Sequence, residues 1–144
     1  MFIIISSNNN LFADNSDEIK RIVEGNKDAK ITIIAYESLT CGHCANFHKE
    51  VYPELKKEFI DKGLVKIEFR NFPLDMAALN ASKIAHCKND GDSNLLHILF
   101  RNQKKWAKGE NIEEANNHLK KLLDSEGINL DFERCIAKKN IEDY

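Results

Sequence analysis

The sequence has only four cysteines in 144 residues, Cys41, Cys44, Cys87 and Cys135. That is too few for a scaffold held together by disulfides, and their uneven spacing does not repeat as the paired Cys-x-x-Cys hooks of a zinc ribbon do. Long apolar runs are missing as well. The run Met1-Phe2-Ile3-Ile4-Ile5 is far short of the about 20 residues needed to cross a bilayer, and the start lacks the basic residues of a complete signal peptide. Charge of one sign is scarce too: 21 Lys and Arg against 23 Asp and Glu leave a net charge of -2. With the two signs interspersed, no long-range field marks the chain for nucleic acid or an anionic membrane. There is no internal repeat, and Ser7-Asn8-Asn9-Asn10 is too short to count as low complexity.

What is present is the composition of an ordinary globular chain, 42% hydrophobic and 31% charged, with length enough for one core. Its chemistry centres on Thr40-Cys41-Gly42-His43-Cys44. Before this stretch, Ile31-Thr32-Ile33-Ile34-Ala35-Tyr36 reads as a strand, and its nearly continuous apolar character suits one covered on both faces. After it, Phe47, Val51, Leu55 and Phe59 recur at helical spacing and read as a core stripe on a helix from Cys41 to about Asp61. Pro53 should kink that helix and Gly63 end it. Val65 to Phe72 alternates as a second strand and closes at Pro73. Strand, helix and strand make a βαβ unit with parallel pairing.

Upstream, Ser16 can cap a short helix with Ile19, Ile22 and Val23 on one face and Gly25 as its stop. Leu11-Phe12-Ala13 before Asp14 would serve as the end of a signal peptide whose front is missing, the other reading of residues 1–15 being a disordered terminus. From Met76 onward the pattern is helical. Helices are expected from Met76 to about Cys87, around Leu95 to Phe100 and on towards Trp106, from an Asn111 and Glu114 capping box to Gly127, and around Phe132 to Ile136. The divisions are therefore 1–15, a βαβ segment over 16–75, and a helical segment over 76–144.

The site chemistry comes from the place of the cysteine pair at a strand-to-helix turn. Thiolate is the attacking form of cysteine, and the unpartnered N–H groups of a helix start favour the anion at Cys41. Such placement lowers a thiol from about 8.5 into a range of roughly 3.5 to 7.5. His43, when protonated, adds to that stabilisation. Cys44, one turn in, is expected to be the less exposed, resolving sulfur, and Cys41 the one that forms a mixed disulfide with a protein substrate. No cofactor is called for. Two other readings compete: a zinc site, in which His48 or His86 with Cys87 would complete the hook, and a basic patch of Lys104, Lys105 and Lys108 around Trp106, which fits a solvated helix face better than nucleic acid. A c-type haem site is excluded, because Ala45 stands where that motif needs histidine. His48, His97 and His118 read as helix-surface residues. Cys87 and Cys135 are left as free thiols or a second disulfide.

The segment from Glu37 to Pro53, with Glu37-Ser38-Leu39-Thr40-Cys41-Gly42-His43-Cys44-Ala45-Asn46-Phe47-His48 at its centre, resembles the active-site region of DsbA-like thiol:disulfide oxidoreductases of the thioredoxin superfamily, especially alphaproteobacterial ones. Phe69-Arg70-Asn71-Phe72-Pro73-Leu74-Asp75, Ile84-Ala85-His86-Cys87, Asn102-Gln103-Lys104-Lys105-Trp106-Ala107 and Phe132-Glu133-Arg134-Cys135 extend the resemblance from about Glu18 to the end. It implies an α/β thioredoxin-like core with an all-helical insertion. It also implies a periplasmic catalyst of disulfide formation in protein folding, with Cys41 as nucleophile, Cys44 as its partner and a structural Cys87–Cys135 disulfide. The implied partners are reduced secreted or periplasmic proteins and a membrane oxidase that reoxidises the pair.

Three departures stand out. Gly42 replaces the proline common in this motif, which bears on oxidising against isomerising poise. The acidic residue often found before the turn would fall at Ala35, and Glu37 lies two residues on. The Thr-Pro loop, closing strands and final helix of the family find no counterpart, since the only prolines are Pro53 and Pro73. On this pattern the fold is C-terminally incomplete, and a catalytically impaired fragment is the alternative to a working enzyme.

Overall fold

The computed structural model of the protein describes residues 18–139. The expected leader-like segment 1–15 and the Ser16 cap lie outside the described residues. Among the described residues three strands, β1 (Ile22–Glu24), β2 (Ile31–Glu37) and β3 (Val65–Asn71), form one sheet in the order β1-β3-β2. β3 runs parallel to β2, from Ile31 opposite Val65 to Glu37 opposite Asn71, and antiparallel to β1. The parallel pair results from the long helical connection between β2 and β3, which returns the chain to the starting edge of the sheet.

Where a helix was expected around Ile19, Ile22 and Val23, the chain instead forms β1, with Ile22 opposite Phe69 and only 1% exposed. Three residues are too few for spacing to separate period 2 from period 3.6, so pairing with β3 decides. Gly25 comes next at φ +105, where an added Cβ would stand 2.8 Å from the Val65 carbonyl oxygen; only glycine lets the chain leave β1 so close to β3.

β2 likewise departs from the expected cover on both faces. Ile33, Ala35 and Glu37 turn inward, whereas Ile34 and Tyr36 stay exposed. An apolar run cannot report which face has a neighbouring layer, and among the described residues only one does. Tyr36 is partly held by Arg70, whose Nη1 donates to its hydroxyl at 2.9 Å.

The helical stretch after the motif is built of α1 (Gly42–Asn46), a π-helical turn over Phe47–Val51, α2 (Tyr52–Leu55) and a second π-helical turn over Lys56–Ile60. Pro53 has no N–H to give and would clash with the turn before it. The chain answers by widening that turn, so that the N–H of Tyr52 reaches back to the carbonyl of Phe47. Each widened turn carries an extra residue and rotates the helical face beyond it. The stripe Phe47, Val51, Leu55 and Phe59 is therefore split: Phe47 and Leu55 pack against the core, whereas Val51 and Phe59 are about half exposed, and Tyr52 and Ile60 are buried in their place.

The remaining helices are α3 (Met76–Ala85), α4 (Asn94–Arg101), α5 (Gln103–Trp106), α6 (Ile112–Ser125) and α7 (Phe132–Ile136). Asp75 caps α3, accepting the Ala78 N–H at 2.7 Å through one oxygen and the Thr40 hydroxyl at 2.7 Å through the other. That carboxylate ties the helix to the turn that carries the cysteines. Asn111 caps α6 through the Glu114 N–H, while the Glu114 carboxylate accepts from Glu110, one residue ahead of the expected box. Trp106 is fully buried and its indole N–H donates to the Leu99 carbonyl at 2.9 Å. A single apolar cluster runs from Ile67 and Phe69 of the sheet through Leu99 and Trp106 to Leu119 and Cys135.

His86, at the end of α3, is 2% exposed. Burial pushes its pKa down from 6.5 to about 4. Unfolded, the same ring takes a proton near 6.5, so the unfolded state gains protons first as pH falls. Stability should be level with respect to this group above about pH 6.5 and drop by about 3 kcal/mol on the way to pH 4. Denaturant melts at a series of pH values check this against His86→Gln, which should remove most of that slope; an equal slope in the variant would show that His86 does not carry it.

Candidate active site

β2 ends at Glu37, and the next four residues turn the chain into α1. The Cys41 N–H donates to the Ser38 carbonyl at 3.0 Å, closing that turn. From the other side, Gln103 Nε2 donates to the carbonyls of Leu39 and Cys41, both at 2.9 Å, and the side chain is buried. Gln103 thus pins the backbone of Cys41 from a helix more than sixty residues away. In the sequence it stands out only as part of a family-like stretch, because no local pattern links α5 to this turn.

Cys41 occupies the N-cap position of α1, and its sulfur accepts the Cys44 N–H at 3.4 Å. The N–H of Cys44, then the Cys44 thiol, and after these the N–H of His43 hold the Cys41 thiol below its ordinary value, against burial and the negative charge of Glu37. His43 thus acts on this sulfur through its backbone; its imidazole is exposed. Cys44 behaves oppositely. Burial pushes its thiol up to about 11, outweighing the Ser38 N–H, with the Cys41 sulfur and the Glu37 charge adding to the rise. Both thiols are free, so one chain segment holds an activated sulfur and a suppressed one three residues apart.

Behind the pair lies a set of polar groups that the sequence concealed. His48 and His97 were expected on helix surfaces, yet their side chains are only 5% and 22% exposed. His48 sits one turn beyond Cys44, a spacing that could have signalled its place. It stacks on Phe100 with ring centroids 4.0 Å apart, places Nε2 2.8 Å from Glu37 Oε2 and faces His97 across 3.1 Å. His97 in turn meets Glu24 at 2.5 Å, and the Tyr52 hydroxyl donates to the same carboxylate. Burial alone would raise Glu24, but the hydrogen bonds from His97, Ser93 and Tyr52 win and bring it down to about 2. His118 is half-buried, its Nδ1 3.2 Å from the Lys108 carbonyl oxygen.

A groove of about 1090 Å³ opens beside the motif between α1 and α4–α5. Tyr52 and Phe100 form part of its wall; Lys49, Arg101, Lys104 and Lys105 stand around it with His43, and among the described residues no carboxylate lines it.

The zinc reading does not assemble. Cys87 is joined to Cys135 in a disulfide with Cα atoms 5.3 Å apart, which removes its sulfur as a ligand, and His48 is engaged by Glu37 and His97. Among the described residues no group of three or more His, Cys, Asp or Glu side chains is placed to hold a metal ion. No helix of the described residues is long and apolar enough to cross a membrane.

A family model described as thioredoxin matches residues 17–144. Among curated proteins, one of Rickettsia bellii, whose name assigns it as a protein-disulfide oxidoreductase, is 39% identical over 95 residues, covering 65% of this chain and 37% of the relative. Disulfide bond formation protein D of Bacillus subtilis is 34% identical over 76 residues, covering 49% of this chain and 33% of that protein. Among solved structures, alpha-DsbA1 of Wolbachia pipientis superposes with a TM-score of 0.74 at 33% identity, covering 85% of this chain and 62% of that one. BdbD of Bacillus subtilis does so with a TM-score of 0.60 at 26% identity, covering 85% and 66%. The match therefore spans about a third of these curated relatives' length.

Proposed function

The chain belongs to the thioredoxin family and is DsbA-like within it, and on that premise we propose that it is a protein thiol:disulfide oxidoreductase working through Cys41 and Cys44. The observation that carries the reading is the opposite bias of two thiols on one helix start, Cys41 pushed down by backbone N–H groups and Cys44 pushed up by burial.

In the oxidised protein a client thiolate attacks Cys41 Sγ. The Cys41–Cys44 bond breaks, a Cys41–client disulfide forms, and Cys44 leaves as a thiolate that takes up a proton. A second client thiolate then attacks the client sulfur of the mixed disulfide. The client is left oxidised and the Cys41–Cys44 pair reduced, and Cys41 departs readily because its thiolate is the favoured form. Reduced secreted or periplasmic proteins are the clients this reading implies, and a membrane-held oxidant the partner that restores the pair. The Cys87–Cys135 disulfide supports an oxidising compartment such as the periplasm. The cationic, aromatic-walled groove at His43 suits a client segment that carries acidic residues near its cysteine.

The test is the alkylation rate of the reduced protein against pH. Cys41 should titrate well below the ordinary value of about 8.5, and Cys44 should stay protonated through the same range. A Cys41 midpoint at the ordinary value overturns the assignment.

A further inference from the structure

β2 is paired along one side only. The Phe72 N–H donates to the Glu37 carbonyl at 2.7 Å, so Glu37 turns its main-chain groups towards β3. Such groups alternate sides along a strand. Ile31, Ile33 and Ala35 therefore do the same, and Thr32, Ile34 and Tyr36 present their N–H and C=O groups to the opposite edge. Among the described residues no strand pairs with that edge. It also lacks the devices that commonly protect an edge, since residues 31–36 contain no Lys and no Pro and keep an unbroken register with β3. Instead, Ile31, Ile34 and Tyr36 are 58%, 45% and 61% exposed. Phe72 and Leu74, whose N–H groups are held at the end of β2 by the Glu37 carbonyl and the Ser38 hydroxyl, extend this apolar surface and are themselves exposed.

The edge is complementary to itself. Two copies of β2 laid antiparallel about a two-fold axis at Ile34 set Ile34 opposite Ile34 and Thr32 opposite Tyr36. These are the residues whose main-chain groups face outward, so the register closes about six hydrogen bonds. Their side chains share one face, where an aromatic ring meets a β-branched residue and isoleucine meets isoleucine. On the other face Ile33 comes opposite Ala35, both half-buried against the core of their own copy. A slip of one residue would set outer side chains against core-facing ones.

We infer that the free edge of β2 is the seat of a second copy of this chain, the two sheets joining through an antiparallel β2–β2 contact into one continuous sheet. The inference goes beyond the thiol:disulfide exchange reading and does not depend on it. The two-fold closes the assembly. Both β2 edges are used up, and the edge left on each side is β1, only three residues long, so growth stops at two. The contact also reaches the site: continued past the strand, the register brings Lys30 of the second copy opposite Ser38 and its turn over residues 26–29 towards Cys41. A strand of this length with its exposed side chains covers roughly 600 Å² per copy, against about 800 Å² for a standard interface, which makes the dimer a weak, reversible one.

Sedimentation of the full chain, with its Cys41–Cys44 pair held reduced, should show monomer giving way to dimer between about 1 and 300 μM. Over the same range, amide exchange at Thr32, Ile34 and Tyr36 should slow by about fivefold, while Ile33 and Ala35, bonded to β3 in both states, keep their rates. Ile34→Lys sets two like charges against each other at the axis. That variant should stay monomeric to the top of the range with an unchanged circular dichroism spectrum; should it fail to fold, the amide pattern of the unchanged chain decides alone. A monomer at every concentration, a dimer that survives Ile34→Lys, or a dimer whose three amides exchange freely overturns the inference. So does protection of the three amides that is equal at all concentrations, which would put another part of the same chain on the edge. None of these readouts depends on the cysteine pair, so this inference and the exchange reading fail separately.

Discussion

Cys41→Ser should reduce oxidation of a reduced protein substrate to background, a loss on the order of a thousandfold or more, whereas Cys44→Ser, which also cannot form the Cys41–Cys44 disulfide and so cannot oxidise, should still trap a client whose own disulfide Cys41 attacks. The difference arises from the two environments. A serine hydroxyl at Cys41 can sit at the same N-cap and accept the same N–H, so folding is spared, but it cannot form or break an S–S bond. In Cys44→Ser the Cys41 sulfur keeps the backbone N–H groups that favour its thiolate. Its thiolate still attacks a client disulfide: a Cys41–client S–S bond forms as the client's own S–S bond breaks and its other sulfur leaves as a thiolate, and no second sulfur of this chain lies in reach to release the client. Mass spectrometry under non-reducing conditions should then show a client adduct on Cys44→Ser and none on Cys41→Ser. Equal adducts on both would mean that Cys41 is not the reactive sulfur.

Removing the Cys87–Cys135 disulfide should destabilise the fold by about 4 kcal/mol. The bond joins positions 48 apart, and closing a loop of that size in the unfolded chain accounts for the figure. Cys135 is also 1% exposed within the main apolar cluster, so truncating it to alanine adds the loss of a packed sulfur. For a chain of this length the melting temperature of Cys87→Ala/Cys135→Ala should fall by roughly 10 °C or more. Calorimetry checks this on protein whose Cys41–Cys44 pair is held reduced, so that only the second bond differs. An unchanged melting temperature would mean that the bond does not constrain the fold.

Much of the site was legible because its signals are local. The Cys-x-x-Cys spacing, the apolar run before it and the helical pattern after it put two sulfurs at a helix start, and the N–H groups there act on whatever sulfur stands first. The same holds for Gly63, Gly127 and Asn111, each of which ends or begins a helix by its own backbone or side-chain geometry. The failures share a different cause. Val51 and Phe59 keep helical spacing and still miss the core, because Pro53 and the second widened turn change the number of residues per turn. β1 reads as a helix in the sequence because three residues carry no usable period. His48 and His97 read as surface residues because a histidine's partner, here 49 positions away, leaves no trace in the residues around it.

The sequence by itself determined which atoms can do chemistry here and on what kind of element they stand: two cysteines at the junction of a strand and a helix, within a chain able to form a βαβ core. Tertiary structure decided what surrounds them. Only folding brings Gln103 onto the backbone of Cys41, buries Cys44 enough to raise its thiol, joins Cys87 to Cys135 and lines Glu24, His97, His48 and Glu37 into one hydrogen-bonded row. The physical reason is range. Helix starts and turns are fixed by bonds spanning a few residues, whereas burial and side-chain pairing are set by whichever distant segments the core brings within about 3 Å of one another.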